Sequence, residues 1–389
     1  HDSRPRLLCG HSTRAPSGGY KLQERRILMT LTDRQRALVF LDSFEKLEYR
    51  RKIEIIKLFT SPAELFSGGN VIRRAFEDRR DYNSVAAVAE ALGRRDTADE
   101  MIKASVAFAD GVITLGDADY PENLKNTPVP PLVLYYKGNA GLLAEDVKRT
   151  AIVGSRKTLP SYLGLAENLS AALSAAGETV VTGIAVGADS AAIKGALDSG
   201  NLISVFAGGI DCVYPRSQSY LAEKIAEHGL VVTEYPAGTV PKNFTYPARN
   251  RIIAGLSRAA VIVSGEADGG ARYTAGYAAD YGRDVMAFPY APGVRSGELC
   301  NGLIKQGASL VENTDDVFRL LGITQKEKHA VALDGNEAIV YESIKDGVGS
   351  PDKLVEKTGL KPYEISVAVS MLELKNLIRR DGTEYGITG

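Results

Sequence analysis

The sequence predicts an α/β protein built on a parallel or mixed sheet covered on both faces, with a small helical domain before it and a winged-helix pattern after it. Three observations predict this. Short, continuous apolar runs alternate with helical stretches between residues 151 and 288, as strands buried on both faces require. The 39 glycines cluster between residues 154 and 307, where strands and turns alternate. Ahead of Gly111 the apolar spacing is helical, and at Gly111 that period changes. A length of 389 residues suits two or three domains of ordinary size.

Residues 1–28 read as foreign to this fold. They are Arg-rich, lack the apolar core of a signal peptide, and lack the clean amphipathic pattern of a transit peptide. They are expected to be an added or upstream segment without fixed structure. Residues 29–110 form the helical domain, with Leu38, Leu41, Phe44, Ile53, Ile56 and Phe59 near helical spacing and Ser61-Pro62 opening another helix. Residues 111–322 form the sheet domain, with strands expected at 112–115, 132–136, 151–153, 179–182, 202–206, 230–233, 260–263 and 285–288. Helices are expected at 162–176 and 190–199. Residues 323–336 are a polar linker. In the last module, 337–389, helices are expected at 337–345, 350–358 and 363–375, with Ser350 as N-cap and Pro351 at the first helical position. Ile365, Ala368, Val369 and Leu372 should face inward, and an Asp381-Gly382 turn should close a β-hairpin.

Composition excludes several functions. Lys and Arg number 47 against 48 Asp and Glu, a formal net charge of −1, so this is not a protein that coats nucleic acid by bulk charge. Any such binding must come from a local patch. Cys9, Cys212 and Cys300 form no CxxC pair and the four histidines are scattered. That gives no disulfide framework and no zinc signature, and it suits a reducing cytoplasm. No metal or cofactor is expected. No apolar run reaches the roughly 18 residues of a membrane helix.

In a parallel sheet, ligands bind beyond the carboxyl ends of the strands, so the loops there are the places to look. Gly154-Ser155-Arg156 follows a strand and precedes a helix; backbone N–H groups, a hydroxyl and a guanidinium suit a phosphate, although the GxGxxG dinucleotide fingerprint is absent. In the next such loop Gly183 and Gly187 flank a bend and Asp189 can cap the following helix. Tyr214-Pro-Arg216 follows a third strand. The most telling loop runs from Val240 to Ala260 and holds Lys242, Arg249, Arg251 and Arg258 with no acid. Asn243 and Asn250 lie among these cations, and Phe244 and Tyr246 interleave with them. Cations with aromatics suit single-stranded nucleic acid, which offers phosphates to the first and base faces to the second. A fifth, Gly-rich loop holds Glu266, Gly269 and Gly270 ahead of Thr274.

In this order the five loops resemble the DNA-processing protein A family, also called DprA or Smf. The resemblance covers roughly residues 30–389. It includes Gly116-Asp-Ala-Asp-Tyr-Pro-Glu-Asn-Leu124, the run from Leu134 to Asn139 and, above all, Tyr246-Pro-Ala-Arg-Asn-Arg-Ile-Ile-Ala-Gly255. It implies an extended Rossmann-like domain, an N-terminal sterile-alpha-motif-like helical domain and a C-terminal winged helix. It also implies a homodimer that binds single-stranded DNA, protects incoming DNA and loads the RecA recombinase during natural transformation. Carried over residue by residue, the phosphate-binding Gly-Ser-Arg falls on Gly154, Ser155 and Arg156. The later basic positions fall on Arg216, Lys242 or its neighbour Asn243, and Arg249, Asn250 and Arg251, with Phe244 placed to stack a base. The chain departs from the family pattern at Ile193, where a histidine is usual, and at Gly269, where a serine is usual.

No paired carboxylates, Ser-His-Asp set or Walker-A loop appears, so the chain is not expected to be an enzyme. The alternative is a Rossmann-type sensor or hydrolase of a nucleotide-like small molecule. A transcription regulator is disfavoured because residues 337–389 hold nine acids and seven bases, whereas duplex binding needs a basic stripe.

Overall fold

The computed structural model describes residues 30–44, 47–77, 82–93, 95–324, 333–375 and 377–387. The segment 1–28 and most of the linker lie outside the described residues. The N-terminal helices are α1 (Asp33–Asp42), α2 (Tyr49–Ile56), α3 (Gly69–Phe76), α4 (Tyr82–Leu92) and α5 (Arg95–Ser105). A capping box starts α1: Thr32 Oγ1 accepts from the Gln35 N–H, and the Gln35 side chain accepts from the Thr32 N–H. The helix expected to open at Ser61-Pro62 is a 3₁₀ segment, Pro62–Ser67, cut short by Gly68 and Gly69.

The sheet region continues as β1 (Gly111–Thr114), α6 (Glu122–Lys125), β2 (Val133–Gly138), β3 (Arg149–Val153), α7 (Pro160–Ala175), β4 (Thr179–Thr182), α8 (Ala188–Leu197), β5 (Leu202–Val205), α9 (Ser219–His228) and β6 (Leu230–Thr233). Then come α10 (Thr245–Leu256), β7 (Ala259–Ile262), α11 (Ala271–Asp280), β8 (Asp284–Ala287), α12 (Glu298–Lys305), β9 (Ser309–Leu310) and α13 (Thr314–Leu321). The nine strands lie in the order β1-β2-β6-β5-β4-β3-β7-β8-β9. β1–β2 and β2–β6 are antiparallel and the other pairs are parallel, so the sheet is mixed at one edge.

Every residue of β3, β4, β5, β6 and β7 is buried, which explains their unbroken apolar runs. Strands β3 to β6 wind outward in one direction and β7 to β9 in the other, so the order reverses between β3 and β7. At such a reversal the neighbouring loops diverge and leave a crevice beyond the strand ends. One buried arginine fixes the frame: Arg149 donates to the carbonyls of Leu256, Leu142 and Ala144, tying β3 to the end of α10 and to the segment before it.

The N-terminal helices share one apolar core with the sheet. The Asp117 carboxylate joins them: it accepts from the Thr114 N–H at 2.7 Å, from Gln35 Nε2 at 2.9 Å and from Arg34. Tyr120 closes the same turn by donating to the Pro131 carbonyl. The Asp-Ala-Asp-Tyr stretch is thus a structural clasp, and the change of period at Gly111 is a change of element type inside one compact unit that runs to Ile323.

The second unit begins at Thr324 and has its own core. It holds α14 (Gly335–Lys345), α15 (Pro351–Thr358), α16 (Pro362–Leu374), β10 (Ile378–Asp381) and β11 (Glu384–Ile387). Ser350 and Pro351 start α15, Gly359 ends it at φ +72°, and Ile365, Ala368, Val369 and Leu372 are buried as expected. The hairpin turn is shifted by one residue: Asp381 pairs with Glu384, so Gly382-Thr383 forms the loop and Gly382 takes the positive φ of +64°.

Candidate nucleic-acid interface

The loops after β3, β4, β6 and β7 meet at the carboxyl edge around a cleft of about 360 Å³. Its lining includes Gly154, Ser155, Arg156, Asp189, Arg249, Asn250, Glu266, Gly269 and Gly270. Ser264 holds the two sides of the strand-order reversal together. Its Oγ accepts from the Ser155 N–H at 2.9 Å and lies 2.6 Å from Thr158 Oγ1. Ser155 Oγ accepts from the Lys157 N–H at 3.0 Å, which bends the loop so that Arg156 and Lys157 are both exposed. Glycine is required at position 154 because a Cβ would meet Ala188 and Ser264 at less than 3 Å.

Gly183 and Gly187 serve packing and do not line the cleft. A Cβ on Gly183 would run into the Asp189 carboxylate and the Arg249 guanidinium. Gly187 has φ +89° and abuts the Ser155 carbonyl. Gly187→Ala is therefore expected to cost at least about 1 kcal/mol, because it combines a left-handed backbone with a steric clash. Denaturant unfolding checks this, and an unchanged midpoint would contradict the packing role.

Asp189 is not the N-cap expected from the sequence. Gly187 holds that position, and Asp189 is buried inside the first turn, accepting from the Ala185 N–H at 3.2 Å. Burial pushes its carboxyl pKa up, against the pull of the Arg249 guanidinium. Burial likewise lowers the pKa of Arg249, and Asp189 opposes that shift. Arg249 is only 6% exposed; it donates to the Val205 carbonyl and to Asn250 Oδ1, while Asn250 Nδ2 reaches the Gly270 carbonyl at 3.3 Å. Arg249 and Asn250 therefore fasten α10 to the sheet and to the loop after β7, with one side facing the cleft.

Arg251, expected beside them as a phosphate ligand, is not brought to the cleft. Two residues along a helix is 200° of rotation, so Arg251 points away from Arg249. It pairs with Glu234 and donates to the Val129 carbonyl, within the field of Tyr49 and Tyr120. Glu234 is itself buried and its pKa is raised by burial despite that pairing. Arg258, the fourth cation of the run, is bidentate to the buried Glu178. Half of the basic run is thus structural.

The exposed chemistry lies on a ridge beside the cleft. The Arg156 guanidinium sits 5.6 Å from the Tyr246 ring centroid, and Lys242 Nζ sits 5.8 Å from that of Phe244. Thr245 locks the Lys242 turn by accepting the Lys242 N–H and donating to the Lys242 carbonyl, and this turns Phe244 outward at 67% exposure. Tyr214, 55% exposed, lines a small recess together with Arg156, Tyr246 and Pro241. Arg216 and Asn243 are exposed as well. Sequence reasoning read Tyr246 with Phe244 as an aromatic interleaved with the basic run and left Tyr214 open between stacking and packing, and it named neither as a site residue. Their nearness to each other and to Arg156 left no mark in the sequence, because only the meeting of separate loops makes them neighbours.

Ile193 is fully buried in α8, which accounts for an apolar residue there. Gly269 closes a tight turn, its N–H donating to the Glu266 carbonyl. Among the described residues no helix is long and apolar enough to cross a membrane.

Comparison with known proteins agrees with this architecture. Residues 111–322 match the family model of DNA recombination-mediator protein A, and residues 324–382 match the DprA winged helix domain. The chain is 38% identical over 235 residues to the protein Smf of Synechocystis, a match that spans 59% of each protein. It is 37% identical over 213 residues to the DNA processing protein DprA of Streptococcus pneumoniae, covering 52% of this chain and 71% of that one. The X-ray structure of the Streptococcus pneumoniae protein superposes with a TM-score of 0.62 at 27% identity, covering 74% of this chain and 98% of that one. With its reversal point, its Gly-Ser-Arg loop and its C-terminal winged helix in place, this chain belongs to the DNA recombination-mediator protein A family.

Proposed function

We propose that the chain binds single-stranded DNA along the ridge formed by Arg156, Tyr246, Lys242, Phe244, Tyr214 and Arg216, without catalysing a reaction. The observation that carries this reading is the pairing of exposed cations with aromatic rings, the exposed Phe244 and the half-buried Tyr246, on loops that converge at one sheet edge. Guanidinium and ammonium groups neutralise phosphates, and the ring faces stack unpaired bases whatever their sequence. Gly154, Ser155 and the cleft walls at Arg249 and Asn250 seat a phosphate next to Arg156. From family membership we extend the reading to a homodimer in the cytoplasm that shields incoming strands and loads RecA onto them during transformation and recombination.

Phe244→Ala tests the stacking half of the proposal. It is expected to weaken single-strand affinity about 5- to 100-fold, the range for loss of one base–aromatic contact, and to leave stability unchanged because the ring is exposed. Fluorescence anisotropy with a labelled oligonucleotide, against a duplex of the same sequence, measures it. Equal affinity for single strand and duplex would sink the proposal.

The cleft favours a second reading, a nucleotide-like small molecule held at the strand-order reversal, because its volume lies in the range of small-ligand sites. Glu266 lines that cleft and pairs with Arg295 at 3.2 Å. Calorimetric titration with nucleoside monophosphates separates the readings: saturable binding unaffected by Phe244→Ala supports the second.

A further inference from the structure

Among the described residues of the first unit, four aromatic rings are exposed: Tyr214, Tyr220, Phe244 and Tyr273. All four stand at the carboxyl edge of the sheet. Tyr214 lies in the loop after β5, Tyr220 in the first turn of α9, Phe244 just before α10 and Tyr273 in the first turn of α11. Exposed rings scattered singly over a surface are ordinary, but rings gathered at one edge mark a binding surface. The ridge accounts for Tyr214 and Phe244. Tyr220 and Tyr273, 70% and 36% exposed, are left over.

Each of these two rings carries its own cation. Lys224 Nζ, one helical turn further along α9, sits 5.8 Å from the Tyr220 ring centroid. The Arg272 guanidinium sits 4.8 Å from the Tyr273 centroid, and its Nη2 donates to the Tyr273 hydroxyl at 3.0 Å. Both rings stand on segments tied to the cleft walls. Gln218, in the turn that leads into α9, donates through Nε2 to Ser190 Oγ at 2.9 Å, next to the buried Asp189. Gly270, directly before α11, lines the cleft and accepts from Asn250 Nδ2. A helical side chain leans toward the N-terminus of its helix, so both rings tilt toward the edge and not down the flank.

Parallel crossovers are right-handed. The chain steps one way from β5 to β6 and the other way from β7 to β8, so α9 and α11 cover opposite faces of the sheet. Helix α9 packs on β5 and β6 and α11 on β7 and β8, an offset of four strand spacings, roughly 19 Å. Tyr220 and Tyr273 therefore flank the cleft from opposite faces, with the ridge between them.

We propose that a single strand crosses the carboxyl edge from Tyr220 to Tyr273, passing over the ridge and the cleft, and that these two rings stack its outermost bases. The inference rests on the single-strand reading and extends it at both ends. The ends differ in charge. Lys224 is paired with Glu227 at 2.7 Å, so the Tyr220 end offers a ring face and little free charge. Arg272 forms no ion pair among the described residues, and Glu266, in the cleft between, is already paired with Arg295. The Tyr273 end thus adds a phosphate contact as well as a ring.

Oligothymidylates of about 5 and about 15 nucleotides, near the two ends of the range of single-strand site sizes, test the crossing. The short strand should fill the ridge alone. Tyr220→Ala and Tyr273→Ala should each weaken binding of the long strand about 5- to 100-fold and leave the short one unchanged. Arg272→Ala should make the salt slope for the long strand shallower by about 0.7, while Lys224→Ala should leave that slope as it is. Phe244→Ala should weaken both lengths. Tyr220→Phe and Tyr273→Phe keep the stacking face and should bind as wild type. Both rings are exposed, so thermal unfolding should not move. Long-strand affinity unchanged in both alanine variants, while Phe244→Ala still weakens it, would end the strand at the ridge and overturn the crossing alone. Loss at one ring only would overturn it too, because the strand would then leave the edge at the cleft. Equal losses on both lengths would place the rings in the central site and overturn their role as ends. Failure of the wild-type chain to bind either length would remove the single-strand reading itself, and the crossing with it.

Discussion

Arg156→Ala should weaken single-strand binding by about 10- to 100-fold at moderate salt, the value of one charge-assisted contact to a phosphate. The slope of log affinity against log salt should become shallower by about 0.7, the increment for one phosphate contact on a single strand. Arg156 is the best placed cation on the edge. It belongs to the loop that Ser264 holds rigid, and it reaches out over the Tyr246 ring. Its guanidinium is exposed, with the buried Asp189 carboxylate within its field. Because the side chain is exposed, thermal stability should stay level, and the loss is attributable to binding alone. Arg156→Lys should recover the charge but not the planar stacking on Tyr246, so it should fall between wild type and alanine. Anisotropy titrations at two or more salt concentrations measure all three. An unchanged salt slope in Arg156→Ala would mean that the strand runs elsewhere.

Arg251→Ala should act in the opposite way. Arg251 and Glu234 are both largely buried, so removing the cation strands a carboxylate in the interior. A broken buried pair costs about 3–5 kcal/mol, which for a unit of this size lowers the unfolding midpoint by on the order of 10 °C. At temperatures well below that midpoint, single-strand affinity should stay within about threefold of wild type, since the guanidinium faces the N-terminal helices and not the ridge. The pH dependence carries a sign. Burial already raises the pKa of Glu234, and without Arg251 it rises further. An acid whose folded pKa lies above its unfolded one binds more protons when folded. Its unfavourable contribution is absent below the ordinary carboxylate range and grows as pH rises toward the folded value. The deficit of Arg251→Ala should therefore shrink in acid. Replacing both partners, Arg251→Met with Glu234→Leu, should recover most of the loss. A large drop in affinity with no drop in stability would instead return Arg251 to the binding surface.

These two arginines show how far the sequence reads. Both stand in motifs that mark the family, and both were expected to hold phosphate. Composition and spacing located the loops, because a buried parallel strand must be continuous and apolar and its turn must be small or polar. The strand positions at 179–182 and 230–233 and the inward residues of α16 were legible for that reason: period and burial are local properties of the chain. The sequence left open whether the sheet is parallel or mixed; the antiparallel pairing of β2 with β1 and β6 depends on partners about 20 and 100 residues away, to which local spacing is blind. Helix α12, strand β9 and helix α13 left weaker patterns, being short and half-exposed.

By itself, then, the sequence determined the family, the α/β and winged-helix architecture, and the sheet edge where chemistry gathers. Those follow from periodicity and from residue types that only certain turns accept. Tertiary structure alone decided which members of the basic run are available. Glu234 takes Arg251, Glu178 takes Arg258, Val205 and Asn250 hold Arg249, and Lys242 stays exposed beside Phe244, as Arg156 of the first loop does beside Tyr246. The physical reason is that a buried charge must find its partner across the fold, and that partner lies far away in sequence. A cation's type can be read from the chain, but its freedom to meet a phosphate is a property of what packs around it.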